Sequence, residues 1–305
     1  MSQLRVTTRN ARFQEWTALL ANRTKRQRSG EFLVQGVRPI TMAVRSGWEI
    51  RELLYNADAQ LSAWARQMIE AAPAQRYAVA GELMAELGGK EDGPPELLAV
   101  VGQPEDDLGR IPVSPVLPAD SAPASRAELH SVPAIPAQPP ELLVVVFDRP
   151  ASPGNIGTVV RSADALGAAG VVVTGHAADI YDPKCVRAST GSLFAVPVVR
   201  AASHRPVLDW LAAVRSNGVD ARLVGTDEHG DIDITEYDFT EPTVLVVGNE
   251  TAGLSGAWRQ ACDHLLRIPM VGSASSLNAA TAASIAMYEC LRQRRLSRYT
   301  SGAVG

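Results

Sequence analysis

The chain has 305 residues, 46% hydrophobic, 20% charged and 5% aromatic, with 24 Gly, 20 Pro, three Cys and a formal net charge of −4. At roughly 150 residues per domain this length suggests about two domains, and high apolar content with small net charge excludes a globally disordered chain. No apolar run approaches the ~18 residues of a membrane span, no apolar stretch follows Arg5 and Arg9, and Cys185, Cys262 and Cys290 lie far apart without CxxC spacing, so a membrane span, a secretory signal, a disulfide framework and a zinc site are all disfavoured and the expectation is a cytoplasmic protein without metal.

Residues 1–30 carry seven basic side chains (Arg5, Arg9, Arg12, Arg23, Lys25, Arg26, Arg28) against Glu15 alone. They begin with a basic helix expected over Arg9–Asn22. Phe32–Val34 is a short apolar run after Ser29-Gly30, Val37–Arg45 has helical spacing and ends at Ser46-Gly47, and Ile50–Tyr55 reads as a strand. Leu61–Ala71 reads as a helix, with Leu61, Trp64, Ala65, Met68 and Ile69 on one face. Arg76–Val79 is a strand, Glu82–Leu87 a short helix before Gly88-Gly89, and Leu97–Val101 a strand. Together these predict a small α/β sandwich. Residues 104–140 then hold nine Pro and no sustained apolar periodicity. Proline fixes φ and removes a donor, so this stretch reads as an extended linker between 1–103 and 141–305.

The second part alternates more regularly. Leu142–Phe147 is a continuous apolar strand, as a parallel sheet covered on both faces requires. Asn155–Leu166 is a helix, Gly170–Thr174 and Val196–Val199 are strands, and Val207–Arg215 is a helix. Strands at Arg222–Gly225, Val244–Val247 and Leu265–Ile268 and a long helix over Leu277–Arg294 complete it. The class is α/β with a mostly parallel sheet. Residues 227–241 hold seven acids and no Lys or Arg, and Arg292, Arg294, Arg295 and Arg298 cluster at the C-terminus. Charge alone leaves two readings of the basic clusters open: local binding of a polyanion, or solvated helix faces.

Ligands of open parallel sheets bind outside the carboxyl ends of the strands. Three polar loops follow strands there: 148–161, 247–255 and 268–278. The first, with Gly154-Asn155-Ile156-Gly157, opens a helix but lacks GxGxxG spacing and the later ribose-binding acid, which disfavours a dinucleotide site. Arg161, two turns into that helix, reads either as a structural ion-pair partner or as a functional cation. Asn249-Glu250 leaves a buried strand, where polar groups need partners. Asn249 or Thr251 could simply cap a helix there, and Asn278 could be an N-cap.

Taken together, the three loops resemble the motifs of the SpoU/TrmH family of RNA 2′-O-ribose methyltransferases in the SPOUT superfamily. The matching residues are Asn155-x-Gly157-x-x-x-Arg161-x-Ala163, Gly248-Asn249-Glu250-x-x-Gly253-Leu254, and Ile268-Pro269-Met270 followed by Ser276-Leu277-Asn278. The likeness covers roughly 142–294, and the first part, from Phe32-Leu33-Val34-Gln35-Gly36-Val37-Arg38, resembles the family's small ribosomal-protein-like RNA-binding domain. The resemblance implies a C-terminal SPOUT-type α/β domain with a deep trefoil knot and a homodimer formed through it. It also implies S-adenosyl-L-methionine held by Thr226, Val247, Gly248, Asn249, Gly253, Ile268, Met270, Ser276, Leu277 and Ala279. By the same carry-over Asn155, Arg161, Glu250, Ser276 and Asn278 are the candidate catalytic residues, and Arg23, Lys25, Arg26, Arg28 and Arg38 the candidate RNA contacts. The sequence departs from the family at Ser275, where Asn is common, and at Ala279-Ala280, where Val-Ser is common.

The implied reaction is an in-line attack of a ribose oxygen on a sulfonium methyl, which needs positioning and weak base help but no metal. Arg161 stays protonated, so a role in stabilising the developing alkoxide stands beside the role of base. The implied substrate is large-subunit ribosomal RNA. The alternatives are transfer RNA and an inactive RNA-binding relative, against which Asn155, Arg161 and Glu250 all speak by being present.

Overall fold

In a computed structural model, residues 4–89, 93–113 and 142–302 are described, with the side chains of the last helix given as far as Ser297. Two compact units interleave along the sequence. One comprises Met1–Asp106, Pro150–Asp164 and Ala177–Pro197, the other Asp107–Arg149, Ala165–His176 and Val198–Gly305.

The first unit holds a five-stranded sheet in the order β1-β4-β3-β5-β2, built from β1 (Leu4–Val6), β2 (Glu31–Gln35), β3 (Ile50–Asn56), β4 (Gln75–Val79) and β5 (Leu97–Gly102). β1, β4 and β3 run parallel, whereas β5 is antiparallel to both β3 and β2. Helices α1 (Ala11–Ala21), α2 (Arg23–Ser29), α3 (Val37–Arg45), α4 (Ala63–Ala71) and α5 (Gly81–Gly88) connect them. Two asparagines bound the basic helix expected over Arg9–Asn22, found as α1, and the second of them opens a further helix, α2, that was not expected. Asn10 caps α1 through its side chain, and Asn22 ends α1 while accepting from Lys25 N to start α2. An Asx side chain bonds its own downstream backbone in non-helical geometry, which is why it opens a new helix rather than continuing the old one. Phe13, Trp16 and Leu19, three residues apart on α1, pack with Val6, Leu54, Leu83 and Leu98 in the core of this unit.

The second unit is organised on a seven-stranded, wholly parallel sheet in the order β10-β12-β9-β11-β6-β7-β8. Its strands are β6 (Leu143–Asp148), β7 (Gly170–Thr174), β8 (Val198–Ala201), β9 (Arg222–Thr226), β10 (Ile232–Asp233), β11 (Thr243–Val247) and β12 (His264–Arg267). The central pair, β6 and β11, is buried along its whole length, as the unbroken apolar runs predict. β8 begins after Pro197, two residues later than expected, because proline has no donor for the ladder. The helices of residues 142–302 are α6 (Pro153–Leu166), α7 (Pro183–Ser189), α8 (His204–Ser216), α9 (Gly256–Ala261) and α10 (Ala279–Gly302).

Part of the expected proline-rich linker is folded. Residues Leu108–Arg110 form a 3-10 turn, and Ile111 is buried in the core of the second unit, with Leu108 and Val113 packed beside it. Gly170 admits this contact, since a Cβ there would lie 2.9 Å from Ile111 Cγ1. The linker reading over 114–140 lies outside the described residues.

Candidate active site

The parallel pairing of β6 with β11 sets Phe147 beside Val247, so the chain leaves both strands at one edge of the sheet. Asp148, the last residue of β6, is buried and fully used. Its Oδ1 accepts from Thr174 Oγ1 at 3.2 Å, and its Oδ2 accepts from Ser255 N at 3.1 Å and from Arg149 Nε at 3.0 Å. Arg149 takes a left-handed backbone conformation (φ 51), an unfavourable one for a side chain of this kind. In it, the Arg149 carbonyl accepts from Asn249 Nδ2 at 2.6 Å, and Arg149 Nη2 donates to Gly253 O at 3.2 Å.

The same asparagine organises the turn after β11. Asn249 Oδ1 accepts from Thr251 N and Ala252 N, and the Asn249 and Gly253 backbones exchange two hydrogen bonds of 3.0 Å each. Asn249 is thus a turn-former rather than a helix cap; the cap position of α9 belongs to Ser255. Gly248 is required by space, since a Cβ there would meet Gly253 C at 2.3 Å and Leu254 N at 2.4 Å.

β9 lies between β11 and β12. The segments leaving these three strands line one cleft of about 390 Å³ together with the start of α10. All ten residues expected to hold the cofactor line this cleft, as do Glu250 and Ser276 of the expected catalytic set. Residues 248–253 line it together with apolar side chains such as Leu266, Ile268 and Leu277. Sequence reasoning missed Asp227 and Arg259, which also line it. The Asp227 carboxylate is 3% exposed, with Oδ2 3.0 Å from Arg259 Nε, and its Oδ1 accepts from His229 N. The only sequence signal for Asp227 was the acidic run that it opens. Asn278 stands outside the lining. Its Oδ1 accepts from Ala280 N and Thr281 N, so it caps α10.

The first motif belongs to the other unit. Asn155 sits half-buried in the first turn of α6, where its N–H donates to Ser152 Oγ. Arg161, two turns on, is exposed. Gly157 between them is a point of contact, because a Cβ there would lie 2.4 Å from Cys185 O and 2.7 Å from Ala188 Cβ. The motif glycine therefore lets α6 lie against α7 at backbone distance. Burial pushes the Cys185 thiol far up, with Asp179 and Asp182 adding to the shift, so this cysteine is a packing residue.

The basic residues separate into two kinds. Arg23, Arg28 and Arg38 are exposed, as an RNA contact requires, and Lys25 is half-buried with Glu15 at 3.9 Å. Arg26 must be removed from that set. It is 2% exposed, with Nε 2.8 Å from Asp179 Oδ2 and Nη1 donating to the carbonyls of Leu19 and Leu20. Arg9 and Arg12 are also paired, with Glu86 and with Glu15 and Glu52 respectively. In the C-terminal cluster Arg294 is buried and donates to the carbonyls of Phe239, Leu142 and Glu241, so it fastens α10 rather than presenting charge. No group of three or more His, Cys, Asp or Glu could hold a metal, and no helix is long and apolar enough to cross a membrane, among the described residues.

Comparison with known proteins decides the family. Residues 10–99 match the SpoU L30e-like domain, and residues 142–288 match the SpoU rRNA Methylase family. Over 290 residues, 95% of this chain and 92% of the relative, the sequence is 54% identical to the 23S rRNA (uridine(2479)-2′-O)-methyltransferase of Streptomyces viridochromogenes. The chain belongs to the SpoU rRNA methylase family. The crystal structure of the SpoU methyltransferase AviRb from the same organism, in complex with the cofactor AdoMet, matches this SpoU methylase with a TM-score of 0.82 and 55% identity over 94% of this chain and 98% of that one. An AdoMet-bound rRNA methyltransferase from Sinorhizobium meliloti matches with a TM-score of 0.76 and 27% identity over 95% and 98% of the two chains. All three motif loops lie within the matched region of the SpoU methylase, and the module of the first unit carries the L30e-like match.

Proposed function

We propose that this SpoU methylase transfers a methyl group from S-adenosyl-L-methionine to the ribose 2′-oxygen of a uridine in large-subunit ribosomal RNA. The observation that carries the reading is the cleft at the exits of β9, β11 and β12, assembled from the family's second and third motifs, in a chain 54% identical to a 23S rRNA uridine-2′-O-methyltransferase over nearly its whole length. The residues present fit the cofactor. The volume suits a ligand of that size, the lining joins apolar Leu266, Ile268 and Leu277 to polar Thr226, Asn249 and Ser276, and Asp227 Oδ2 is a buried acceptor without an aligned hydrogen bond in the described structure, suited to hydroxyl or ammonium protons.

When bound, S-adenosyl-L-methionine supplies an electrophilic sulfonium methyl. Val247, Gly248, Asn249, Gly253, Ile268, Met270 and Leu277 would hold it, with Thr226, Ser276 and Ala279 completing the wall. Arg161 places a planar, forked donor array beside the attacking ribose oxygen and its phosphate, stabilising the charge that develops there. Asn155 positions the ribose from the same helix, and Glu250, at the tip of the turn, orients donors in the site. Residues 1–103 bind the RNA, with Arg23, Arg28 and Arg38 as phosphate contacts, and 141–305 form the knotted methyltransferase domain. The protein acts in the cytoplasm, where ribosomes are made. Ile285, Tyr288 and Leu296 form an exposed apolar stripe along α10, which supports a homodimer through this helix.

The test is methyl transfer from tritiated S-adenosyl-L-methionine to unmodified 23S rRNA, followed by mapping of 2′-O-methyl sites. Label confined to one ribose of 23S rRNA is expected. Label in tRNA with none in 23S rRNA would replace this substrate assignment, and no transfer to either would leave an RNA-binding relative without catalysis.

A further inference from the structure

The buried ion pair that removes Arg26 from the RNA-contact set has a location of its own. Arg26 lies on α2 of the L30e-like module, and Asp179 lies in the segment between β7 and α7 of the methylase half. Both are almost fully buried, with side chains 2% and 4% exposed, and Asp182 stands 3.6 Å from the same guanidinium. Asp179 is fixed in turn, since its Oδ1 accepts from Tyr181 N. An uncompensated buried charge is costly, so this pair forms only when module and segment are seated on each other.

Independent contacts run along the same seam. Arg23 Nη1 donates to Ala177 O at 2.8 Å, and Trp48 Nε1 donates to Phe194 O at 3.2 Å. The Phe32 ring lies 4.6 Å from that of Tyr181 and 6.2 Å from that of Phe194, and Trp48 meets Phe194 edge-on at 5.0 Å. From this segment the chain of contacts continues to the first motif. Gly157 abuts Cys185 and Ala188 of α7, and Asp164 Oδ2 accepts from Ser192 Oγ at 2.8 Å. The L30e-like module, α7 and the helix bearing Asn155 and Arg161 thus form one packed body.

We propose that Arg26, through its buried pair with Asp179, is a positioning residue for methyl transfer, locking the RNA-binding module to the helix that carries Arg161. RNA gripped by the module and the guanidinium of Arg161 then share one frame, and the target ribose is delivered to Arg161 at a set distance. This rests on the reading of the protein as an RNA methyltransferase. It predicts that loosening the pair lowers the rate of a fully bound complex rather than its affinity, because displacements near 1 Å can cost about 100-fold in rate.

The experiment compares wild type with Arg26→Met and with the milder Asp179→Asn and Arg26→Lys, at a temperature where circular dichroism shows each variant folded. Affinities for an unmodified 23S rRNA transcript and for S-adenosyl-L-methionine are measured, then the single-turnover rate with both saturating. In parallel, spin labels at Ser46→Cys and Thr158→Cys, in a Cys262→Ala background, report the distance distribution between module and α6. The expected result is unchanged affinities, a rate about 10- to 100-fold lower for Arg26→Met, partial recovery in Arg26→Lys, and a broadened distance distribution. A rate within twofold of wild type with an equally narrow distribution overturns the proposal. So does lost RNA affinity with an unchanged saturated rate, which would make Arg26 an RNA contact after all. Failure of the wild type to methylate RNA would remove the functional reading, while the distance distribution would still decide whether Arg26 locks the module to α6.

Discussion

Replacing Gly248 by Ala tests how closely the cleft depends on the turn after β11. The added methyl would begin 2.3 Å from Gly253 C and 2.4 Å from Leu254 N, whereas carbon contacts settle near 3.5–4.0 Å. Both obstacles are backbone, so relief requires the turn to open by about 1 Å. The two Asn249–Gly253 hydrogen bonds, 3.0 Å each, would stretch to roughly 4 Å, beyond useful length. Losing both costs roughly 1–3 kcal/mol. If that falls on the cofactor-holding conformation, affinity for S-adenosyl-L-methionine drops roughly 5- to 150-fold. Isothermal titration measures it directly, with thermal melting to show that the protein is folded. Gly256→Ala is the matched control, because a Cβ there meets nothing within 4 Å; it should bind as wild type does. Cofactor affinity within twofold of wild type for Gly248→Ala would refute the reasoning, as would an equal loss in the control.

Arg161→Ala should lower the single-turnover methylation rate by ~100- to 1,000-fold with cofactor affinity intact, and Arg161→Lys should recover little if the forked donor geometry matters; near-normal turnover by the Ala variant would end the catalytic assignment. Replacing Arg23, Arg28 and Arg38 together by Ala should flatten the dependence of RNA affinity on salt by roughly 0.7–0.9 in log–log slope for each lost phosphate contact, and an unchanged slope would mark these residues as ordinary surface. The Glu289 carboxyl is held below its usual range chiefly by the Arg292 side chain, with Gln293 helping. A depressed folded-state pKa contributes stability that is present above the unfolded value and is lost as pH falls through the folded one. Urea unfolding of Glu289→Gln should therefore show a deficit relative to wild type at pH 7 that shrinks towards pH 3; a deficit that stays constant would show that ionisation of Glu289 is not its source.

Much of the fold was readable because its signals are local. The unbroken apolar runs at 143–147 and 244–247 mark buried parallel strands, and the loops behind them carry Gly and Asn where the backbone must turn. What escaped was short or depended on distant partners. Three-residue β1 and two-residue β10 are too brief to show a period, and α7, with Pro183 near its start, carries little apolar pattern. The cleft was legible through the motif resemblance, yet Asp227 was hidden in an acidic run that composition treats as surface. Arg26 was misread for the same reason in reverse: a cationic residue beside Arg23, Lys25 and Arg28 looks solvated, and only Asp179, 153 residues away, shows otherwise. Arg149 carried no sequence signal, because a left-handed arginine is selected by the bonds it makes after folding.

That separation of 153 residues also has a meaning in time. A ribosome adding roughly 5–20 residues per second needs about 8–30 s to travel from Arg26 to Asp179. Only in the later half of that interval, once β5 (Leu97–Gly102) has been made, does the nascent L30e-like module have its whole sheet but not its seat. The Arg26 guanidinium has only chain carbonyls and water around it, and Phe32 and Trp48 lack Tyr181 and Phe194. The module is thus born with an apolar face crowned by a cation, held open until the segment 177–194 clears the exit tunnel. Until the pair closes, this half-seam is exposed apolar surface of the kind that leaves a partly folded chain open to wrong partners.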